Sequence, residues 1–195
     1  MPKRPTSQWV EHILSAYDRA DRVTLDAGHS WYAREHAAIN GVHAKVAIPR
    51  CAVFACYAIA SPRQQWGRVR DSLYDFLVLG KASALEGMLP HIQSKLWAIV
   101  EGGANWHLFV QGDKTRSFYE NLRHPDSSLA VTVDVHAWNV MWGHDTPRTL
   151  IPGMRKSDYK KAEAAYRAAA AEIGRLPSQV QATTWLVERY NSSRQ

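Results

Sequence analysis

Cysteine is almost absent: Cys51 and Cys56 are the only two in 195 residues. Two thiols cannot build a four-cysteine cluster or a structural zinc site, so buried free thiols are the expectation. Long apolar runs are missing too. The longest, Cys51 to Ala60, is about half of the roughly 20 residues that a bilayer span needs. The opening Met1-Pro-Lys-Arg-Pro carries no secretory apolar core, and a soluble, intracellular (cytoplasmic) protein with no membrane partner is expected. There is no internal repeat, low-complexity block or obvious linker, which excludes a disordered tail and a collagen-like chain. What is present is an ordinary globular mixture, 46% apolar and 22% charged, with a basic bias of 24 Lys and Arg against 18 Asp and Glu. A net charge of +6 and a pI near 9.4 suit an anionic partner, nucleic acid first.

Hydrophobic periodicity reads as helix along most of the chain. Thr6 or Ser7 can cap a first helix with Trp9, Val10, Ile13, Leu14 and Tyr17 on one face. Ser30–Ile39 follows and should stop at Asn40-Gly41. Arg50–Ala60, led by Pro49, is apolar on nearly every side and belongs in the middle of a fold. Gln65–Leu79 should end at Gly80, and Pro90–Val100 at Gly102-Gly103. Trp106 to Leu122 breaks near Gln111-Gly112, so it reads as helix, tight turn, helix. Val131, Val133 and Val135 alternate with polar residues; an extended approach to a helix capped by Asp134 is preferred over a lone strand. Lys156–Ile173 is alanine-rich with Gly174 as its cap. Pro177-Ser178 opens a last helix, Ser178 and Gln181 being spaced as a capping box. The sum is one all-α domain, 1–195, of about eight to ten helices.

Familiar catalytic signatures are lacking. Gly112-Asp-Lys-Thr115 lacks the spacing of a phosphate-binding loop, and there is no Gly-x-Ser-x-Gly or His-Glu-x-x-His. His36 and His43 stand two turns apart with Asn40-Gly41 between them, a poor metal site. Two segments do not read as routine packing. Leu108 to Thr115 is a tight turn with a lysine just after its glycine, and Val131 to His136 puts an acid at a helix start. The 19 residues between Lys114 and Asp134 suffice for one helix and a return loop that brings ammonium and carboxylate into one cleft. An amine beside a carboxylate is equipment for attack on an electrophilic carbon. Singly, Asp134 reads as a helix cap and Lys114 as a phosphate-contacting or solvated lysine.

In that order of features the chain resembles the helix-hairpin-helix, endonuclease III-like DNA glycosylases. The matching stretches are Ala58 to Gln65, the hairpin Leu108 to Thr115, and Val133-Asp-Val-His136, across roughly residues 50 to 142. The whole chain is also similar to small bacteriophage proteins of that superfamily, through Ser61-Pro62, Gly112 to Phe118, Val133 to Ala137 and Gln181-Ala-Thr-Thr-Trp185. The resemblance implies a helix-hairpin-helix glycosylase-like bundle working on double-stranded, modified or damaged DNA, as a monomer, in a phage-infected bacterial cell. It gives Lys114 the nucleophile's place and Asp134 the catalytic acid's, with Arg63 and Gln64 filling the gap left by a flipped base. Gln111, Gly112 and Thr115 would meet DNA at the hairpin. Trp31, Tyr32, His36, Trp66, His136 and Trp138 are candidates for the base pocket, beside His29 and Glu35 on the second helix. The cluster-binding cysteines are missing, so no iron–sulfur centre is implied, and no other cofactor. A monovalent cation at the hairpin is the one ion in keeping with the family, although the hairpin lacks the family's proline and first glycine.

The reaction implied is glycosylase chemistry, extending to a lyase: base flipping at a cost of roughly a few kcal/mol, then attack on the sugar carbon. Two alternatives stay open. Some phage members of the superfamily join an amino acid or polyamine to an activated 5-hydroxymethyl-pyrimidine, leaving the glycosidic bond intact. The other is a non-catalytic DNA-binding module that uses the hairpin for backbone contacts.

Overall fold

The computed structural model describes residues 6–192; the opening Met1-Pro-Lys-Arg-Pro lies outside them. The regular elements are α1 (Thr6–Asp18), α2 (Arg22–His43), α3 (Arg50–Ala60), α4 (Trp66–Leu79), α5 (Pro90–Gly102), α6 (Asp113–Arg123), α7 (Val135–Val140), α8 (Lys156–Glu172) and α9 (Pro177–Ser192). Short 3-10 turns stand at Ala82–Leu85, Gly103–Leu108 and Arg148–Leu150. The all-α class is thus what the backbone adopts, with no strand among the described residues. The chain divides into two compact units, one of Met1–Ala33 with His124–Gln195, the other of Arg34–Arg123. We call them the terminal and the central unit.

The central unit is built on α3. Every residue from Ala52 to Ala60 is buried, as an all-round apolar helix requires, and α4, α5 and α6 pack against it. Val69, Leu73 and Phe76 give α4 its buried stripe. That helix stops at Gly80, whose φ of 67° is the left-handed cap that only glycine adopts without strain.

The terminal unit packs α1 on α8 and α9, with α7 against α9. Its core includes Ile13, Val131, Val133, Met141, Tyr166 and the alanine stripe Ala162, Ala165 and Ala169. The segment before α7 is extended yet pairs with no strand, because a tyrosine does the work of a neighbour. Tyr159 Oη donates to Val131 O at 2.9 Å and accepts from Val133 N–H at 3.2 Å. Asp134 caps α7 as expected, its Oδ1 accepting from Ala137 N–H at 2.9 Å.

Three local expectations are corrected. Asn40-Gly41 does not end α2, which begins eight residues earlier than expected, at Arg22, and runs on to His43. Asp21 starts it by accepting from Thr24 N–H at 2.7 Å. Asn40, the would-be terminator, instead accepts from Arg50 Nε at 2.7 Å. The first arm of the hairpin is the 3-10 turn Gly103–Leu108, not an α-helix. The Ser178/Gln181 capping box does not form. Leu176 N–H is taken by Gln179 Oε1 at 3.3 Å, and Gln181 Oε1 accepts from Tyr32 Oη instead.

Within the terminal unit, Tyr17 Oη on α1 and His29 Nε2 on α2 share a hydrogen bond of 2.6 Å. Burial, then the nearby Arg175 charge, hold the His29 imidazole below its ordinary value of 6.5. The unfolded chain therefore takes up a proton first as pH falls, and stability is lost from about pH 6.5 downward until folded His29 protonates. Thermal midpoints between pH 7 and pH 5 should fall more steeply in the wild type than in His29→Gln, which keeps a hydrogen-bonding group for Tyr17 but does not titrate. Parallel slopes would refute this.

Candidate functional site

The hairpin belongs to the central unit. After the 3-10 turn, Gln111 N–H bonds to Phe109 O at 2.9 Å and the Gln111 side-chain amide to Leu108 O at 2.8 Å. Gly112 then turns left-handed at φ 83° and its carbonyl accepts from Arg116 N–H at 3.0 Å, starting α6. The amides of Asp113, Lys114 and Thr115 precede the first intrahelical bond, leaving donors at a positive helix end. Gln111 and Gly112 are exposed, and Lys114 and Thr115 are half-buried. The Lys114 ammonium has no hydrogen-bond or ion-pair partner among the described residues. A cation in a first turn opposes the helix dipole by roughly 0.3–1 kcal/mol, so helix stability does not explain it.

The turn between α3 and α4 carries Arg63, at φ 58° the one non-glycine with positive φ among the described residues. That conformation costs an ordinary side chain roughly 1–2 kcal/mol. The turn is held on both sides. Ser61 Oγ donates to Ala58 O at 2.9 Å and Gln64 Nε2 to Gly87 O at 3.0 Å. Arg63 is exposed, whereas the Gln64 amide is occupied. Trp66 meets Phe118 edge-on at 5.3 Å and lies 6.1 Å from Tyr57. His36 is held at both ring nitrogens, Nδ1 2.7 Å from Leu122 O and Nε2 3.0 Å from Arg50 Nη2. It ties α2, α3 and α6 together. Glu35 is 7% exposed and 3.5 Å from Arg70, with Oε2 unpartnered among the described residues. Between Arg34 and Arg123 the chain carries 11 Lys and Arg against 7 Asp and Glu, so the unit that holds the hairpin and the turn is basic overall.

Asp134 belongs to the terminal unit. Its Oδ1 caps α7, and its Oδ2 accepts from the Trp185 indole N–H at 3.1 Å. Trp185 meets Trp31 and His136 edge-on at 6.3 Å each, and the Arg189 guanidinium lies 4.6 Å above its ring. Trp31 in turn packs on Tyr32 at 4.7 Å, and Tyr32 Oη donates to Gln181 Oε1 at 2.9 Å with Thr132 Oγ1 at 3.1 Å. The structure thus gathers Trp31, Tyr32, Asp134 and His136 around α9. His136 Nδ1 is buried and unpartnered among the described residues. Trp138 is not in this group. It is 4% exposed, wedged between Trp9 and Trp142, with its N–H on Pro152 O at 2.7 Å, and serves as core.

Residues 2–192 match one protein family, described as a family of unknown function (DUF7178). The chain belongs to DUF7178. No curated protein and no solved structure matches it. For this DUF7178 member no helix among the described residues is long and apolar enough to cross a membrane, and no group of three His, Cys, Asp or Glu there could hold a metal ion.

Sequence reasoning did not single out Trp185 as a site residue, although it ends the Gln-Ala-Thr-Thr-Trp stretch. Gln181 and Trp185 lie one turn apart on α9, and each reaches a polar partner on another element, Tyr32 and Asp134. A glutamine and a tryptophan at i, i+4 on a helix were the available signal.

Proposed function

We propose that this protein is a DNA glycosylase with lyase activity, in which Lys114 supplies the attacking amine and Asp134 the carboxylate that steadies the cationic sugar. The observation that carries the reading is the Lys114 ammonium: half-buried, unpaired among the described residues and placed in the first turn of a helix, two residues after a left-handed glycine. Phosphates suit the free amides of that turn, and the basic excess of the central unit would make DNA binding weaken steeply with salt. Asp134 supports the reading through its fixed geometry, each carboxylate oxygen being held by one N–H donor. In the reaction Lys114, its ammonium proton first lost to solvent, bonds through the neutral Nζ to C1′ as the C1′–N bond to the base breaks, and the base leaves with a proton given up by that nitrogen. The C1′–O4′ bond then breaks, O4′ taking a proton, to leave an imine on Lys114; loss of a C2′ proton forms a C2′=C3′ double bond and expels the 3′ phosphate.

The test is borohydride trapping on duplexes carrying abasic sites, uracil, 5-hydroxymethyluracil or phage-modified bases. A covalent adduct on at least one duplex is expected. No adduct and no alkali-sensitive site on any of them overturns the reading, in favour of group transfer onto a modified base or of DNA binding alone.

Arg63 supplies a separate check, since its turn conformation is strained. As the residue that fills the vacated stack, it should matter for turnover and not for folding. Arg63→Gly is expected to raise stability by up to about 1 kcal/mol while slowing single-turnover base release by about 10- to 100-fold. Thermal melts and single-turnover kinetics on the same preparation read both signs; an unchanged rate removes Arg63 from the mechanism.

A further inference from the structure

We propose that Trp185 is the positioning residue for the Asp134 carboxylate, its indole N–H fixing the rotation of the group by holding Oδ2. The inference rests on the reading of Asp134 as the carboxylate of the reaction, and it lies wholly within the terminal unit.

A helix cap needs only one carboxylate oxygen. At Asp134 that oxygen is Oδ1, bonded to Ala137 N–H at 2.9 Å. With this bond alone the carboxylate keeps some freedom to turn about its last torsion, which is broad for aspartate. The second bond, from Trp185 Nε1 to Oδ2 at 3.1 Å, comes from another helix 51 positions away and adds nothing to the cap. It fixes the carboxylate plane. Each oxygen keeps a further acceptor site, because a carboxylate offers about four lone-pair directions and two are used.

Trp185 is itself held. Trp31 and His136 meet its ring edge-on at 6.3 Å, and Arg189 lies 4.6 Å over its face. A cation over an indole face is favourable electrostatically and restrains the ring from tipping. Gln181, one turn earlier, pins Tyr32 at 2.9 Å, and Tyr32 packs against Trp31 at 4.7 Å. The Gln-Ala-Thr-Thr-Trp stretch thereby has a purpose: one face of α9 orders a set of aromatic rings that ends on a single carboxylate oxygen. Trp138, the nearer tryptophan in sequence, cannot do this, since its N–H is spent on Pro152 O.

Trp185→Phe keeps the ring contacts and deletes the donor. Single-turnover trapping on a duplex that still carries its target base should slow by about 10- to 100-fold, the size of one hydrogen bond to a charged group, with the DNA concentration for half-maximal rate unchanged. A tryptophan that merely packed would move stability and leave this rate in place. The second readout is the 15N indole spectrum, with eight tryptophan N–H signals. The signal missing in Trp185→Phe should be the one that moves upfield in Asp134→Asn. Should Trp185→Phe not fold, the wild-type and Asp134→Asn spectra decide alone. A wild-type trapping rate in Trp185→Phe, or no indole signal moved by Asp134→Asn, overturns the proposal. If the wild type gives no adduct on any duplex, the glycosylase reading falls, and the indole spectra still decide whether Trp185 holds Asp134.

Discussion

Lys114→Ala is expected to abolish the borohydride-trapped adduct, a loss of roughly 10³-fold or more, while leaving the protein as stable as before or slightly more so. The two halves of that expectation have separate origins. Removing a nucleophile removes the covalent intermediate itself, and losses of that order accompany such deletions. Removing a cation from the first turn of α6 relieves an unfavourable interaction with the helix dipole worth roughly 0.3–1 kcal/mol, and alanine is the better helix former. Among the described residues Lys114 forms no ion pair whose loss would offset this gain. Lys114→Arg separates chemistry from charge. The guanidinium keeps its proton and can still meet a phosphate, but it cannot attack carbon. DNA affinity and its salt dependence should be close to wild type in Lys114→Arg, with no adduct. If Lys114→Ala traps as well as wild type, the amine lies elsewhere.

Elements whose rule is local could be read from the chain. The burial of α3 follows from an unbroken apolar run, the stop of α4 from Gly80, and the cap of α7 from Asp134 behind alternating valines. What could not be read depends on partners far away in sequence. Asn40-Gly41 has the chemistry of a helix stop, but Arg50 takes the Asn40 oxygen, and an exposed glycine costs a helix only about 1 kcal/mol. The Ser178/Gln181 box fails because Gln181 is claimed by Tyr32, 149 positions back. The same holds for the site. Lys114 and Asp134 stand out by their local settings at helix starts, whereas Trp185 becomes visible only when α9 is laid against the segment leading into α7. Trp31 and Trp138 look alike in sequence; their surroundings make one a neighbour of that cluster and the other core.

Gly28→Ala and Gly41→Ala, the same substitution at two positions of α2, should have opposite signs. At an open helical site the change stabilises by roughly 0.5–1 kcal/mol, because glycine loses more backbone freedom on folding. Gly41 is such a site: a Cβ there meets nothing within 4 Å. At Gly28 a Cβ would lie 2.6 Å from Thr183 Cα and 2.8 Å from Thr183 Cβ, with Oγ1 closer still. Thr183 is fully buried on α9. A flexible side chain could swing aside, but a backbone atom cannot, so α2 and α9 would have to move apart within the terminal unit. Overpacking of that kind costs about 1–3 kcal/mol or more, outweighing the propensity gain. Thermal midpoints should rise by about 1–4 °C in Gly41→Ala and fall by several degrees in Gly28→Ala, on the usual scale of about 2–4 °C per kcal/mol for this size. Adding Thr183→Ala to Gly28→Ala removes Oγ1 but leaves the α9 backbone pressed against the new methyl group, so the loss should persist in the double variant. Full recovery there would mean that the hydroxyl, not the close approach of the two backbones, is what Gly28 accommodates.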